Sequence, residues 1–240
     1  MKITPIASSS AGNAYLIDDG KTRILIDCGV HMNRIMAASD WMRPPIDACL
    51  LTHSHGDHSA SVKYLLHKGI LCYMGAETAK ALRLNDGRSR IRGVRIFGEF
   101  ETEIGTFIIK NLEMVHDVEC YGFYIYSMHT RESLFFATDT NYIPYNFGLA
   151  SINYIMIEAN HDRDVINRLV AAGDMPEAAA RRTMETHMSI DTTLLWLSRA
   201  NLSKTRRIYL LHLSGNNSTA EDFKRRVVEQ TGIPTVVCPE

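Results

Sequence analysis

Three histidines and an aspartate, His53, His55, Asp57 and His58, share six consecutive positions in the stretch Thr52-His53-Ser54-His55-Gly56-Asp57-His58. Imidazole and carboxylate are the donors that hold borderline divalent ions such as zinc. The cluster follows directly on an apolar run, Asp47-Ala48-Cys49-Leu50-Leu51. If Leu50 and Leu51 end a buried strand, the period of two points His53 and His55 the same way. They can then share one ion and leave Asp57 and His58, in the turn that follows, to take a second. The plain alternative is a solvated loop rich in histidine by chance, and both the residue types and their context argue against it.

Other potential donors stand at the C-terminal ends of apolar runs. Asp27 ends Arg23-Ile24-Leu25-Ile26, and His116 ends Leu112-Glu113-Met114-Val115. Asp139 follows Leu134-Phe135-Phe136-Ala137-Thr138, and His212 follows Ile208-Tyr209-Leu210-Leu211. Any one of these alone reads as a structural or capping residue. Beside the histidine cluster they read as a set that strand ends on one sheet edge could bring together.

The elements that must position them are legible as runs. Strands are expected at Ile3–Ile6, Ala14–Ile17, Arg23–Ile26, Ala48–Leu51, Tyr154–Ile157 and Ile208–Leu211. A β meander is expected over 94–138, with strands at Val94–Phe97, Thr106–Ile109, Gly122–Tyr126 and Leu134–Ala137. Helices are expected near His31–Ala38, Ser59–Lys68, Pro176–Thr186, Ile190–Ala200 and Ala220–Thr231, the last with a capping box Ser218-x-x-Glu221. The layout suggests an α/β (α+β) chain with two packed sheets and helices outside, an arrangement that periodicity alone does not separate from other α/β layouts.

The 240 residues, 45% of them apolar, suffice for one large domain spanning 1–240, and no low-complexity linker divides them. A formal charge of −1 excludes a protein that coats nucleic acid through bulk electrostatics, so a phosphate-bearing substrate must be attracted locally. Five scattered cysteines without a C-x-x-C pair point to a reducing compartment. No stretch reads as a signal peptide or membrane span, so the expectation is a soluble cytoplasmic protein without a membrane partner.

Taken in order, Asp27, His53-x-His55-x-Asp57-His58, His116, Asp139 and His212 resemble the five motifs of the metallo-β-lactamase superfamily. The resemblance implies a four-layer αββα sandwich. It implies two divalent ions, zinc foremost with manganese or iron(II) as alternatives. His53, His55 and His116 would hold one ion and Asp57, His58 and His212 the other, with Asp139 bridging and Asp27 orienting a ligand from behind. Closer similarity is to the YycJ/WalJ branch of nucleases. It rests on Ala7–Ile17, Glu158-Ala159-Asn160-His161-Asp162, Thr186-His187-Met188-Ser189 and Leu211-His212-Leu213-Ser214. Ala11 and Ala14 depart from the glycine- and cysteine-like residues expected there, and neither is a candidate ligand.

Two divalent ions, two aspartates and a hydroxide leave about one net positive charge, which favours an anionic phosphodiester. The expected reaction is in-line attack of metal-bound hydroxide on phosphorus. Asp57, His187 and Glu158 are the candidate catalytic groups, with His187 near a helix start and Glu158 orienting it. Asn160, His161, Ser10 and Asn13 are candidate substrate contacts, against the plainer readings of a junction network and a tight hairpin. The substrate would be a single-stranded nucleic acid or a nucleotide, and the activity exonuclease-like. A cyclic-nucleotide phosphodiesterase is the near alternative, and a thioester or lactone hydrolase the more distant one. A homodimer is compatible with the sequence.

Arg88, Arg90, Arg92 and Arg95 alternate, but Glu99, Glu101 and Glu103 could pair with them across a hairpin. The clusters Arg181-Arg182 and Lys224-Arg225-Arg226 read as solvated helix faces. Tyr121, Tyr124, Tyr126, Tyr142 and Tyr145 either stack bases or pack a core edge.

Overall fold

The computed structural model describes residues 1–84, 93–98, 101–145, 151–215 and 219–239. Its contacts divide into two compact units, one of Met1–Glu113 and Val118–Glu132 with Pro239, the other of Met114–Asp117 and Ser133–Cys238.

The first unit opens with β1 (Lys2–Ser9) and β2 (Gly12–Asp18), an antiparallel hairpin whose turn is Ser10-Ala11. β3 (Arg23–Ile26) continues antiparallel, and then the chain crosses over. After α1 (Met32–Ala38), β4 (Ala48–Leu50) lies parallel to β3. After α2 (Gly56–Ser59) and α3 (Val62–His67), β5 (Leu71–Met74) lies parallel to β4. After α4 (Ala76–Ala81), β6 (Val94–Ile96) lies parallel to β5. Ile24, Leu25, Ile26, Cys49 and Leu50 are all fully buried, as continuous apolar runs require when both faces of a strand are covered. Ile35 of α1, Leu65 of α3 and Ala79 of α4 pack with Leu25, Cys49 and Cys72 in one apolar core. β7 (Thr102–Ile104), β8 (Phe107–Glu113) and β9 (Tyr121–Ser127) complete the unit as an antiparallel ladder.

In the second unit β10 (Ser133–Ala137) and β11 (Tyr154–Glu158) are parallel neighbours. α5 (Arg163–Ala172), α6 (Glu177–Thr186) and α7 (Ile190–Arg199) then lead to β12 (Arg207–Leu211), parallel to β11. α8 (Ala220–Thr231) carries the chain to β13 (Thr235–Val237), parallel to β12. The rings of Phe135 on β10 and Trp196 on α7 stack with centroids 5.0 Å apart, which fixes the helix on the sheet.

Most expected elements are present, and the differences have physical causes. Val94–Ile96 belongs to a parallel ladder and not to the meander, because its apolar residues continue the first sheet past β5. Arg95 accordingly makes no pair with Glu101 or Glu103, and its guanidinium donates to the carbonyl of Val94. Arg88, Arg90, Arg92 and Glu99 lie outside the described residues, as does Ser218 of the expected capping box; Thr219 stands at the N-cap position of α8 without a side-chain capping bond. The helix expected at Ser59–Lys68 is α3, preceded by the short α2 that ends at Ser59. Arg181 and Arg225 do pair with glutamates one helical turn away on solvated faces. All five cysteines are buried free thiols. No helix among the described residues is long and apolar enough to cross a membrane.

Candidate metal centre

In the first unit the parallel register puts Ile26 beside Leu50, so Asp27 and the Thr52-His53 step leave the same edge of the sheet. Asp27 turns there with a φ of 56°, a left-handed conformation that aspartate tolerates better than most residues. Its fully buried carboxylate accepts the Thr52 backbone N–H at 2.9 Å and the Nδ1–H of His58 at 2.7 Å. Burial is the largest influence on this carboxyl and pushes its pKa up, against the lowering pull of His58 and Thr52. The Thr52 hydroxyl, 3.0 Å from Asp27, also lies 2.9 Å from His53 Nδ1. The imidazoles lie close together: the His53 ring centroid is 4.7 Å from that of His55 and 4.2 Å from that of His58.

The chain can fold this tightly because residue 29 is glycine. A Cβ there would stand 1.6 Å from the Asp57 carbonyl oxygen, so only hydrogen lets the two backbones pass. Cys28 and Gly29 donate to the carbonyls of His58 and Asn13, both at 2.8 Å. Asn13 itself is fully buried, and its amide donates to His58 Nε2 at 2.9 Å and to the Ser9 carbonyl. Ser10 is exposed at the hairpin tip. Asp57 Oδ2 lies 3.5 Å from His58 Nε2.

In the second unit Ala137, Ile157 and Leu210 form one row across three parallel strands, and Asp139, Glu158 and His212 stand one or two residues beyond it. Asp139 and His212 leave their strands with φ of 51° and 52°, which turns both side chains sharply. His212 Nδ1–H donates to Asp139 Oδ2 at 3.0 Å. Glu158, fully buried, accepts from His187 Nδ1 at 2.7 Å and from the backbone N–H groups of Thr140 and Met188. His187 is the C-cap of α6 and Ser189 the N-cap of α7, so the histidine closes one helix two residues before the cap of the next, close to the expected helix start. Its ring is 21% exposed. His116 packs edge-on against His187 at 5.9 Å, and burial holds its pKa below the usual imidazole value. One donor atom from each of Asp139, Glu158, His187 and His212 lies within 4.8 Å of the others.

Residues 9–130 match the sequence model of the metallo-beta-lactamase superfamily, just over half of the chain. The chain belongs to that superfamily. It is 27% identical to exodeoxyribonuclease WalJ of Streptococcus pneumoniae, over 95% of this chain and 87% of that one. Among solved structures it resembles zinc-bound PqqB from Methylobacterium extorquens, with a TM-score of 0.75, 13% identity and coverage of 100% and 98% of the two chains. It also resembles the short form of human tRNase Z, with a TM-score of 0.67, 13% identity and coverage of 100% and 97%. The expected metallo-β-lactamase fold is thereby shown, and the chain is a metal-dependent hydrolase of this superfamily.

The donor chemistry of both clusters suits a divalent ion of the superfamily. Imidazoles and carboxylates meet at close range with little solvent, and His58 has its Nδ1–H fixed on a buried carboxylate, as metal-bound histidines usually do. Thr52 and Thr140 went unnoticed in the sequence reading. Each sits beside a conspicuous residue, and nothing in its type marks the backbone N–H it gives to Asp27 or Glu158. Asn160 and His161 are buried: the Asn160 amide donates to the His212 carbonyl at 2.8 Å, and the His161 ring is only 1% exposed. Neither His161 ring nitrogen has a hydrogen-bond partner among the described residues, and burial lowers its pKa to about 4.

Proposed function

We propose that this chain is a metal-dependent phosphodiesterase acting as an exonuclease-like nuclease on single-stranded nucleic acid. The observation that carries the reading is the Glu158–His187 pair at 2.7 Å, a half-buried imidazole held on a buried carboxylate beside Asp139 and His212. The similarity to an exodeoxyribonuclease and the fold shared with a tRNase point to the same chemistry.

Divalent ions, zinc foremost and manganese or iron(II) as alternatives, would be held by His53, His55, Asp57, His58, His116, Asp139 and His212. Bound there, they would supply positive charge for phosphoryl oxygens and acidify water. The protein's own groups handle the leaving oxygen. Glu158 takes the Nδ1–H of His187, which leaves Nε2 as the atom that hands over a proton when the ring is charged. After transfer the ring is neutral and the leaving group carries the proton. Thr140 and Met188 hold the second oxygen of Glu158 through their N–H groups, so the carboxylate cannot rotate away.

The test is to give metal-reconstituted protein end-labelled single-stranded DNA, RNA, cyclic mononucleotides and a thioester, with Asp57→Asn as control. The labelled strands are expected to shorten from an end. Hydrolysis of the thioester alone, lost in the control, overturns the reading. His187→Ala is expected to keep its metal content and lose turnover by about 10²–10⁴-fold. Loss of metal would instead make His187 a ligand alongside Asp139, Glu158 and His212.

A further inference from the structure

A cleft of about 200 Å³ lies between the loop after Asp139 and helix α7, lined by Tyr142, Tyr145, Thr192, Leu195, Trp196 and Arg199 among others. We propose that it is a nucleobase subsite for the strand being cut, an inference that rests on the phosphodiesterase reading above.

Position, surface and charge each support it. Asp139 and Tyr142 are three residues apart, so their Cα atoms lie within about 11 Å whatever the loop's path. On the other wall, α7 starts just after His187, with Ser189 as its cap. The cleft thus opens close to the residues that would handle the phosphodiester. Its mouth leaves apolar surface uncovered: Tyr142 is 50% exposed and Leu195 52%, and neither tyrosine ring has an aromatic partner among the described residues. The wall behind is rigid. The Trp196 ring stacks on Phe135, and its Nε1–H donates to the Tyr145 carbonyl at 3.0 Å. The Thr140 hydroxyl holds the Tyr142 carbonyl at 2.8 Å. Arg199 is exposed and makes no ion pair among the described residues, which leaves its charge for a phosphate or a base face.

An aromatic platform with an unpaired cation is how proteins grip single strands without reading sequence. The volume fits one ring system and not a helix or a folded partner. A base seated here would place its own backbone phosphate toward Asp139 and His187, and any of the four bases could serve, since each has a π-face.

The experiment compares KM for a single-stranded oligodeoxynucleotide with KM for the same strand carrying abasic residues throughout. The metal-loaded parent is expected to show a KM lower by roughly tenfold on the base-bearing strand, the order of one base–aromatic stack. Tyr142→Ala is expected to bring the ratio of the two KM values toward one, and Tyr142→Phe to preserve it. If both strands are cut with equal KM by the parent, or if Tyr142→Ala weakens both strands alike, the subsite is overturned while the phosphodiesterase reading stands. Cleavage of neither strand removes both.

Discussion

The two donor clusters reach similar chemistry by opposite routes. In the first unit the imidazoles come from one short stretch, His53 to His58, folded back on Asp27 and Gly29. In the second, Asp139, Glu158, His187 and His212 come from strand ends and a helix end spread over more than seventy residues. The compact cluster owes its shape to local backbone packing. The Gly29 contact and the hydrogen bonds from Thr52 and His58 to Asp27 hold this stretch in place. The dispersed cluster owes its shape to register. It exists because three parallel strands end in step and because Asp139 and His212 take left-handed turns at that row. The first should fail when one buried hydrogen bond is broken, and the second should fail by degrees.

The largest expected effect is therefore at Asp27. Asp27→Asn keeps the size and tolerates the positive φ, so it isolates the carboxylate's charge and acceptor capacity. The new amide can still accept from Thr52, but it turns an N–H toward His58 Nδ1. His58 must then move its proton to Nε2, the nitrogen that faces the Asn13 amide donor at 2.9 Å. Two donors meet, and the lone pair a metal would need is gone. A loss of about 10–100-fold in metal affinity is expected, together with about 2 kcal/mol of stability for breaking a buried hydrogen bond to a carboxylate. Metal titration and urea unfolding of the metal-free protein measure the two separately. Unchanged affinity would show that the compact cluster does not depend on its anchor.

The sequence announced these clusters unequally. Density alone marked His53, His55, Asp57 and His58, since no common fold element needs three imidazoles in six positions. Asp27, His116, Asp139 and His212 became visible only as a set at the ends of apolar runs. The central strands were legible because their residues are apolar on both faces. β5, β7 and β13 were missed, as strands of three or four residues carry too few alternations to show a period, and α4 and α5 were missed as well, although Val165, Ile166, Leu169 and Val170 recur at helical spacing behind the Asp162 cap. The wrong assignment of Val94–Phe97 to the meander came from reading neighbours in sequence as neighbours in a sheet, which crossover connections break.

A second test separates burial from anchoring. His161 sits beside the dispersed cluster with no hydrogen-bond partner among the described residues, and its pKa is lowered from 6.5 to about 4. The folded chain keeps the ring neutral while the unfolded chain protonates it below about pH 6.5. Stability contributed by this site is thus present above pH 6.5 and is lost as pH falls from there toward 4, on the order of 3 kcal/mol across the window. Unfolding free energies at pH 7 and pH 5 are expected to differ less in His161→Gln than in the parent. An equal pH dependence in both would mean that His161 titrates normally.

The smallest expected effect concerns how the dispersed cluster is tied together. Asn160 donates through its backbone N–H to the Met188 carbonyl, accepts from the Ser214 N–H, and donates through its side chain to the His212 carbonyl. The backbone bonds survive substitution, so Asn160→Ala removes only the 2.8 Å bond to the His212 carbonyl, at about 1 kcal/mol. Asn160→Asp should cost more than Ala, because it sets a carboxylate oxygen against that carbonyl. Urea unfolding of the two variants ranks them. If Asp is as mild as Ala, the amide bond does not hold the His212 turn, and the strand register alone carries this half of the chemistry.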